Sequence, residues 1–265
     1  MPLDNQTPLI QRIARQAYDT FKGFDATAVG DEQFVAKQGE LLALVTAVRA
    51  ADLNIEPRKR AAGGGSPADT TTPPVTYMHI CETDAFSMGV FLLRSGASIP
   101  LHDHPCMYGM LKVLYGKVSI RCFDKLEQGT TGANFEPPFE PPVAPCQKDS
   151  VRRCVLRPLG EYSADSGPCL LTPLRDNLHR IDALDGPAAF LDILAPPYDS
   201  DDGRDCHYYR VLNRAETGGP ESKHGAEQHD AEEKDQETET WLLEIPQPED
   251  FWCGGESYRG PNVSV

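Results

Sequence analysis

The sequence lacks the features of a secreted or membrane-bound protein. Its eight cysteines include no Cys-x-x-Cys pair, and it has no apolar run suited to a signal peptide or a membrane-spanning helix. Scattered cysteines of this kind are typical of reduced thiols inside a cell. We therefore expect a cytoplasmic protein with no membrane contact and mostly reduced thiols. The sequence does not determine the redox state of Cys253.

Basic residues are also scarce. The chain has 25 Lys and Arg against 40 Asp and Glu, a net charge of -15 at pH 7. Nucleic acids and anionic membranes attract basic patches, so this balance argues against a general binder of either. Much of the negative charge falls in residues 214–240, which contain almost no apolar side chains. We predict a mobile acidic surface insertion there, outside the active site.

Helical periodicity is confined to the first 60 residues. An apolar stripe begins after Thr7-Pro8, and a second helix is predicted over about 31–51. Residues 61–74 are rich in glycine, proline and threonine and are predicted to be a flexible linker. Short strands without intervening helices dominate residues 75–255, and residues 256–265 are expected to form a tail. The pattern favours a mainly β protein with one barrel or jelly roll, and no internal repeat suggests a second.

The most informative motif is His102-Asp103-His104. Two histidines two positions apart on a strand project to the same face, so both imidazoles can reach one metal ion. Gly96 is predicted to open the turn before this strand, and Gly116 to form the hairpin that follows it. This spacing resembles the first motif of the cupin barrels.

That motif usually continues with a glutamate ligand five positions after the second histidine. Gly109 stands there in this chain, with no carboxylate beside it, and His179 is the best candidate for a third ligand. Three neutral imidazoles leave several positions of an octahedral ion open and its double positive charge uncompensated. An anionic, chelating substrate is therefore favoured, but imidazole ligands alone do not distinguish iron from zinc or copper.

Three stretches resemble the cysteamine (2-aminoethanethiol) dioxygenase family, which is related to the plant cysteine oxidases. They are His-Asp-His-Pro-Cys-Met-Tyr-Gly at 102–109, Phe-Leu-Asp-Ile-Leu-Ala-Pro-Pro-Tyr at 190–198, and Trp-Leu-Leu-Glu-Ile-Pro at 241–246. The resemblance extends from about residue 10 to 255. It implies a single cupin barrel with the N-terminal helical segment, residues 1–60, packed outside.

The resemblance also implies the chemistry. One iron(II) per chain would be held by His102, His104 and His179, and both atoms of dioxygen would be added to a thiol sulfur, giving a sulfinic acid. The implied substrates are cysteamine, converted to hypotaurine, and proteins with an N-terminal cysteine, whose oxidation is an oxygen-sensing step towards degradation. We expect a monomer.

Four further residues are predicted to shape the site. Asp192 lies on the same strand face as Phe190, and a carboxylate in so apolar a strand needs a partner. Tyr198 follows two prolines that stiffen its approach. The family resemblance points to a thioether bond between Cys206 and Tyr208, which alternation would place on one face of a strand.

Two other interpretations fit the histidines. A zinc or nickel cupin hydrolase or isomerase would keep them without needing Cys206 or Tyr208, and a non-catalytic cupin would merely bind a ligand or a partner. Free cysteine is expected to be a poor substrate, because no arginine is identified to receive its carboxylate; Arg94 and Arg175 are the residues that could upset this expectation. The histidines expected to be dispensable for metal are His79, His207, His224 and His229.

Overall fold

The computed structural model describes residues 7–23, 31–58, 72–126, 138–214 and 238–265. Nearly all of the predicted linker and most of the predicted acidic insertion, with His224 and His229, lie outside these residues. Neither helix of the described part is long and apolar enough to cross a bilayer.

Two helices precede a series of strands. Helix α1 is Leu9–Phe21 and α2 is Glu32–Ala47, followed by a short 3-10 helix, Ala50–Leu53; two more 3-10 helices are Pro145–Ser150 and Ser200–Asp202. The strands of the described residues are β1 Val75–Glu82, β2 Ser87–Leu93, β3 Ser98–His102, β4 Tyr108–Lys125, β5 Phe139–Glu140, β6 Val151–Leu156, β7 Gly160–Ser163, β8 Cys169–Leu171, β9 Leu178–Ala195, β10 Tyr208–Arg214, β11 Thr238–Ile245 and β12 Cys253–Gly255.

Six of these strands close into a barrel. The order β9-β3-β10-β11-β6-β4 returns to its start because β4 also pairs with β9. Strands β2, β1 and β12 extend the sheet from β9, while β7 and β8 pair with β4. Closure removes the free edges of these six strands, which is the usual solution for an antiparallel β protein. The predicted mainly β barrel is confirmed.

The predicted hairpin at Gly116 is wrong. Strand β4 runs unbroken through this residue, which has a φ of 74° and sits at a shift in register with β9. A Cβ atom at position 116 would lie 2.3 Å from the carbonyl oxygen of Pro187. Opposite it, β9 bends at Asp185 and Gly186, which also have positive φ. Both strands therefore bend together through a bulge, as a barrel of strongly curved strands requires.

Alternation along β9 separates two buried clusters. Phe190 belongs to the cluster inside the barrel, whereas Leu191 and Ile193 pack against the helices on the outside. On α1, the spacing of Ile13 and Ala17 places both side chains on the buried face. Burial of a side chain as large as that of Ile13 contributes about 1.5–3 kcal/mol, so such contacts hold the helices on the barrel.

The C-terminal residues pack back on the first helix. The side-chain amide of Gln11 donates to the Ser264 carbonyl at 2.7 Å, and the Ser264 N–H donates to Gln11 Oε1 at 2.8 Å. Tyr258 and Val263 join the same outer cluster. These contacts tie both ends of the described chain to one side of the barrel.

Candidate metal centre

The three predicted ligand histidines converge inside the barrel. His102 ends β3 and is the register partner of His179 on β9. Tyr208 on β10 pairs with His102 on its other side, and Cys122 on β4 pairs with His179. These residues form one row across four strands. The His104 ring lies 4.7 Å from each of the other two imidazole rings.

The site is compact and buried. One ligand nitrogen from each of His102, His104 and His179 lies within 4.8 Å of the others. Their residues are only 8%, 2% and 5% exposed. Burial lowers the pKa of all three, that of His104 to about 3, so they are neutral at physiological pH. Neutral imidazole is the form that ligates a metal ion.

Hydrogen bonds fix two of the rings for metal binding. His102 Nδ1 lies 2.8 Å from the Pro100 carbonyl oxygen, and His104 Nδ1 lies 3.0 Å from that of Asn177. Donation from each Nδ1 leaves the Nε2 lone pair available to a metal ion. His179 Nδ1 is buried without a hydrogen-bond partner. An orphaned ring nitrogen beside two oriented imidazoles fits a bound metal ion.

Packing explains why no glutamate completes this set. A Cβ atom at Gly109 would lie 2.8 Å from Leu171 Cγ and 3.1 Å from Leu194 Cδ2. The place of the usual cupin glutamate is thus filled by leucine side chains. The metal-binding cluster found in the described residues contains histidines alone.

Asp192 shares the barrel interior with the histidines. It lies two positions after Phe190 on β9, is half-buried, and accepts a hydrogen bond from the Ile193 N–H. Burial raises the pKa of Asp192 to about 7. Its register partner is Gly89, where a Cβ atom would meet the Tyr77 ring at 2.3 Å. Tyr77 therefore lies beside Asp192.

Sequence reasoning missed Tyr77. Burial and the negative charge of Asp192 raise its pKa above the usual value, which is further evidence that the two side chains are close. Tyr77 is on β1, which reaches Asp192 only across β2. The available signal was weak: an aromatic residue on an alternating strand, followed by a glycine on the next strand.

Cys206 lies between two tyrosines. Its thiol interacts with the hydroxyl groups of both Tyr198 and Tyr208, and burial raises its pKa to about 11. The Tyr198 ring is 5.6 Å from the His104 ring, and the Tyr208 ring is 6.4 Å from the His102 ring. The negative charge of Asp192 also contributes to the raised pKa of Tyr198, so the four predicted residues and the histidines lie in one region.

The expectation that Cys206 lies on a strand is wrong, because β10 begins only at Tyr208. Alternation therefore does not explain the proximity of Cys206 to Tyr208. The preceding turn brings the thiol between the tyrosines.

Comparison with known proteins places this site in a family. The PCO_ADO family model matches residues 44–263. The chain is 56% identical to a mouse 2-aminoethanethiol dioxygenase and 54% identical to the human one, over 99% of each chain. The chain belongs to the PCO_ADO family. Plant cysteine oxidase 1 of Arabidopsis thaliana is a more distant relative, 32% identical over 73% of this chain and 60% of its own length.

These relatives confirm the predicted family and the assignment of the chain as a dioxygenase. Among solved structures, a cupin superfamily protein from Desulfitobacterium hafniense superposes with a TM-score of 0.30 and 11% identity, over 54% of this chain and 100% of the other. That overlap is too small to support an inference about function.

One more residue stands out in this PCO_ADO site. Asp103, between the two ligand histidines, is 1% exposed. Burial alone would raise its pKa, but the Lys125 ammonium and hydrogen bonds from His207 and Tyr209 hold the pKa below its usual value. The sequence places this carboxylate in the motif without indicating a function for it, since its partners come from β4 and β10.

Proposed function

We propose that this protein is an iron(II)-dependent thiol dioxygenase that converts cysteamine to hypotaurine, with one iron per chain. The observation that carries the proposal is a buried cluster of three neutral histidines, with no carboxylate joining it in the described residues. Iron(II) held by His102, His104 and His179 would supply the redox chemistry that adds both atoms of dioxygen to a thiol sulfur. The product stands at the sulfinic acid step of thiol oxidation.

The neutral ligand set favours a thiolate. Three uncharged imidazoles leave the double positive charge of the cation uncompensated, so an anionic sulfur is bound more tightly than a neutral thiol. Because burial holds the pKa values of the three histidines below their usual range, these imidazoles do not take up the proton that the substrate thiol loses. The proton must go to another group.

Asp192 is the proposed acceptor of that proton. A pKa of about 7 lets its carboxylate take up a proton near neutral pH and release it again. Ionised, it also attracts the substrate ammonium group. The Tyr198 hydroxyl donates a hydrogen bond to the Asp103 carbonyl oxygen at 2.7 Å, so the hydroxyl oxygen is left to accept a hydrogen bond from the substrate amine. These two groups would orient the amine while the sulfur occupies the metal site.

The positions of Arg94 and Arg175, the two arginines that could have received a substrate carboxylate, support a substrate without one. Arg94 is exposed and donates to the Thr72 carbonyl at 3.3 Å. Arg175 is also exposed and lies 3.5 Å from the Asp176 carboxylate. Neither belongs to the row of residues around the histidines. Cysteamine carries an amine and a thiol only, and free cysteine brings a carboxylate towards Asp192.

An N-terminal cysteine of a protein has the same amine and thiol, with a neutral amide in place of the carboxylate. We propose such proteins as a second substrate class, in keeping with the names of the plant relatives. Their oxidation would act as an oxygen-dependent step towards degradation in the cytoplasm. We propose that the protein acts as a monomer.

The test is oxygen uptake by iron-loaded protein with cysteamine, free cysteine and a Cys-initiated peptide in parallel. We expect thiol-dependent uptake with cysteamine and peptide, little with free cysteine, and two oxygen-18 atoms in the product sulfinate. Metal analysis should give one iron per active chain. Equal turnover without oxygen, or full activity with zinc in place of iron, would overturn the proposal. Comparable turnover of free cysteine would overturn the substrate assignment alone.

A further inference from the structure

The barrel is joined weakly at one place beside the histidines. In the described residues, the register pair between β3 and β10 is His102 with Tyr208. The two strands are antiparallel, so Asp103, the residue after His102, lies beside His207, the residue before Tyr208. On the other side of the pair, Pro100 has no N–H to donate to β10. Few backbone hydrogen bonds are therefore available to hold the two strands together where both carry site residues.

Asp103 replaces the missing ladder. Its N–H donates to the His207 carbonyl at 3.1 Å, and its carboxylate accepts from the His207 N–H at 3.0 Å. The same carboxylate accepts from the Tyr209 hydroxyl at 2.9 Å and from Lys125 Nζ at 2.8 Å. One side chain thus contacts the residues on both sides of Tyr208, as well as β4.

The main chain of Asp103 reaches the opposite wall. Its carbonyl oxygen accepts the Tyr198 hydroxyl at 2.7 Å, and the Tyr198 hydroxyl also approaches the Cys206 thiol. Since Asp103 lies between His102 and His104 in sequence, a shift of this residue would move the ligand turn, Tyr198 and the start of β10 together.

We propose that Asp103 is a positioning residue: it closes the barrel between β3 and β10 and so holds Tyr208 and Cys206 against the metal site. It is not a fourth ligand, because its carboxylate oxygens are taken up by donors from β4 and β10 and it lies outside the metal-binding cluster. The positional effect on activity rests on the proposed function, whereas the effect on β10 does not.

Asp103→Asn is the variant that tests this, because the amide keeps the size of the side chain but its single oxygen cannot accept from His207, Tyr209 and Lys125 together. The matched control is Asp182→Asn. Asp182 accepts from Ser98 and Arg180 and bridges β3 to β9, where a backbone ladder already exists. If the Asp103→Asn protein is too unstable to study, Tyr209→Phe removes one donor and keeps the charge.

Three measurements on full-length protein separate the outcomes. Amide hydrogen exchange should accelerate about ten-fold in a peptide spanning 204–212 of Asp103→Asn, with no change in 178–195. The visible spectrum of bound cobalt(II) should change at unaltered cobalt content. For the iron form we expect kcat to fall about ten-fold with smaller changes in KM, within the range found for partners that orient a metal site. Asp182→Asn should match the wild type in all three.

Wild-type exchange in 204–212 and a wild-type cobalt spectrum in folded Asp103→Asn would overturn the proposal. So would uniform acceleration of exchange across the barrel, or equal effects in the Asp182→Asn control. Exchange and the cobalt spectrum do not depend on turnover. Failure of thiol oxidation in the wild type would therefore count against the proposed function and leave the test of Asp103 intact.

Discussion

Two walls of the same barrel hold the metal site by different means. Strands β4 and β9 pair along most of their length, from Tyr108 with Ala195 to Phe123 with Leu178, and carry His179. Strands β3 and β10, which carry His102 and Tyr208, share that register pair and then rely on Asp103. The first wall is a backbone structure; the second depends on particular side chains.

The two pairs of strands should therefore respond differently to substitutions. The β4–β9 pairing is held by many backbone hydrogen bonds, each of which contributes about 0.5–1.5 kcal/mol to stability. A change in one side chain therefore alters this pairing little. Between β3 and β10, one carboxylate accepts from donors on three residues, His207, Tyr209 and Lys125. Loss of that group leaves the buried Tyr209 hydroxyl without its acceptor, so substitutions should have larger effects on geometry there.

The largest effect should come from the ligands themselves, which should be equally necessary on both walls. His102→Ala, His104→Ala and His179→Ala should each abolish iron retention and thiol-dependent oxygen uptake, because two imidazoles cannot hold the ion in this geometry. Metal analysis after desalting, together with oxygen uptake, measures both effects. His79→Ala is the control, since His79 is exposed on β1.

If the His179 variant retained iron and activity, His179 would not be a metal ligand, and the β4–β9 wall would not contribute to the metal site. Loss of iron from His79→Ala at normal stability would show that the ligand set is incomplete.

Asp192→Asn should give the next largest effect. Iron should stay bound while kcat/KM falls roughly 10–100-fold, the range typical of groups that support a metal site. The wild-type kcat/KM should rise as pH increases through about 7, because burial raises the pKa of Asp192 and the ionised form accepts the proton. The variant should lack this rise. A pH profile of both proteins from pH 5.5 to roughly 8.5, spanning that pKa, provides the measurement.

Stability offers an independent check on Asp192. Burial raises the pKa of Asp192 in the folded state from 3.8 to about 7. Its protonation therefore contributes to the free energy of unfolding in full below about pH 3.8, and this contribution is lost as pH rises through about 7. Asp192→Asn should lack this loss and be relatively more stable at pH 8. Identical pH dependence of unfolding in the two proteins would contradict a raised pKa, whatever the kinetics show.

Much of the histidine site could be predicted from the sequence because alternation on a strand is local. The two-residue spacing of His102 and His104 places both on one face, and Asp192 follows Phe190 into the barrel for the same reason. His179 needed a different signal, namely the missing carboxylate at Gly109 and the family resemblance. Its actual position depends on register between β3 and β9.

The parts that were missed depend on contacts between distant segments. Asp103 meets Lys125 and Tyr209 only after the barrel closes, and Tyr77 reaches Asp192 across a whole strand. Gly116 was misinterpreted because glycine with positive φ serves a hairpin and a bulge equally well. Local sequence cannot distinguish these without the partner strand.

Gly109→Ala tests the β4–β9 wall by packing and should have a smaller effect on the metal. The added methyl would meet Leu171 and Leu194 at distances too short for normal contact. Overpacking of this kind typically costs about 1–3 kcal/mol of unfolding free energy. We expect lower stability in denaturant titration but wild-type iron content. Loss of iron at unchanged stability would show that this wall positions the ligands as delicately as Asp103 does.

The smallest effect should come from shortening the acidic segment between Arg214 and Thr238. Strands β10 and β11 are antiparallel neighbours, and Arg214 lies 3.3 Å from the Glu239 carboxylate, so a short Gly-Ser link can join them. Loop-closure entropy grows slowly with length, and the stability cost should be small. The join lies at the end of β10 opposite Tyr208, about 20 Å away at the usual rise per residue. Cysteamine turnover should therefore equal that of the full chain.

Basic Cys-initiated peptides at low and high salt provide the contrast, because negative charge attracts them only at low salt. A salt-sensitive loss confined to these peptides would give the segment a steering function. Collapse of cysteamine turnover in a folded, iron-loaded deletion would show instead that both ends of β10 control the site.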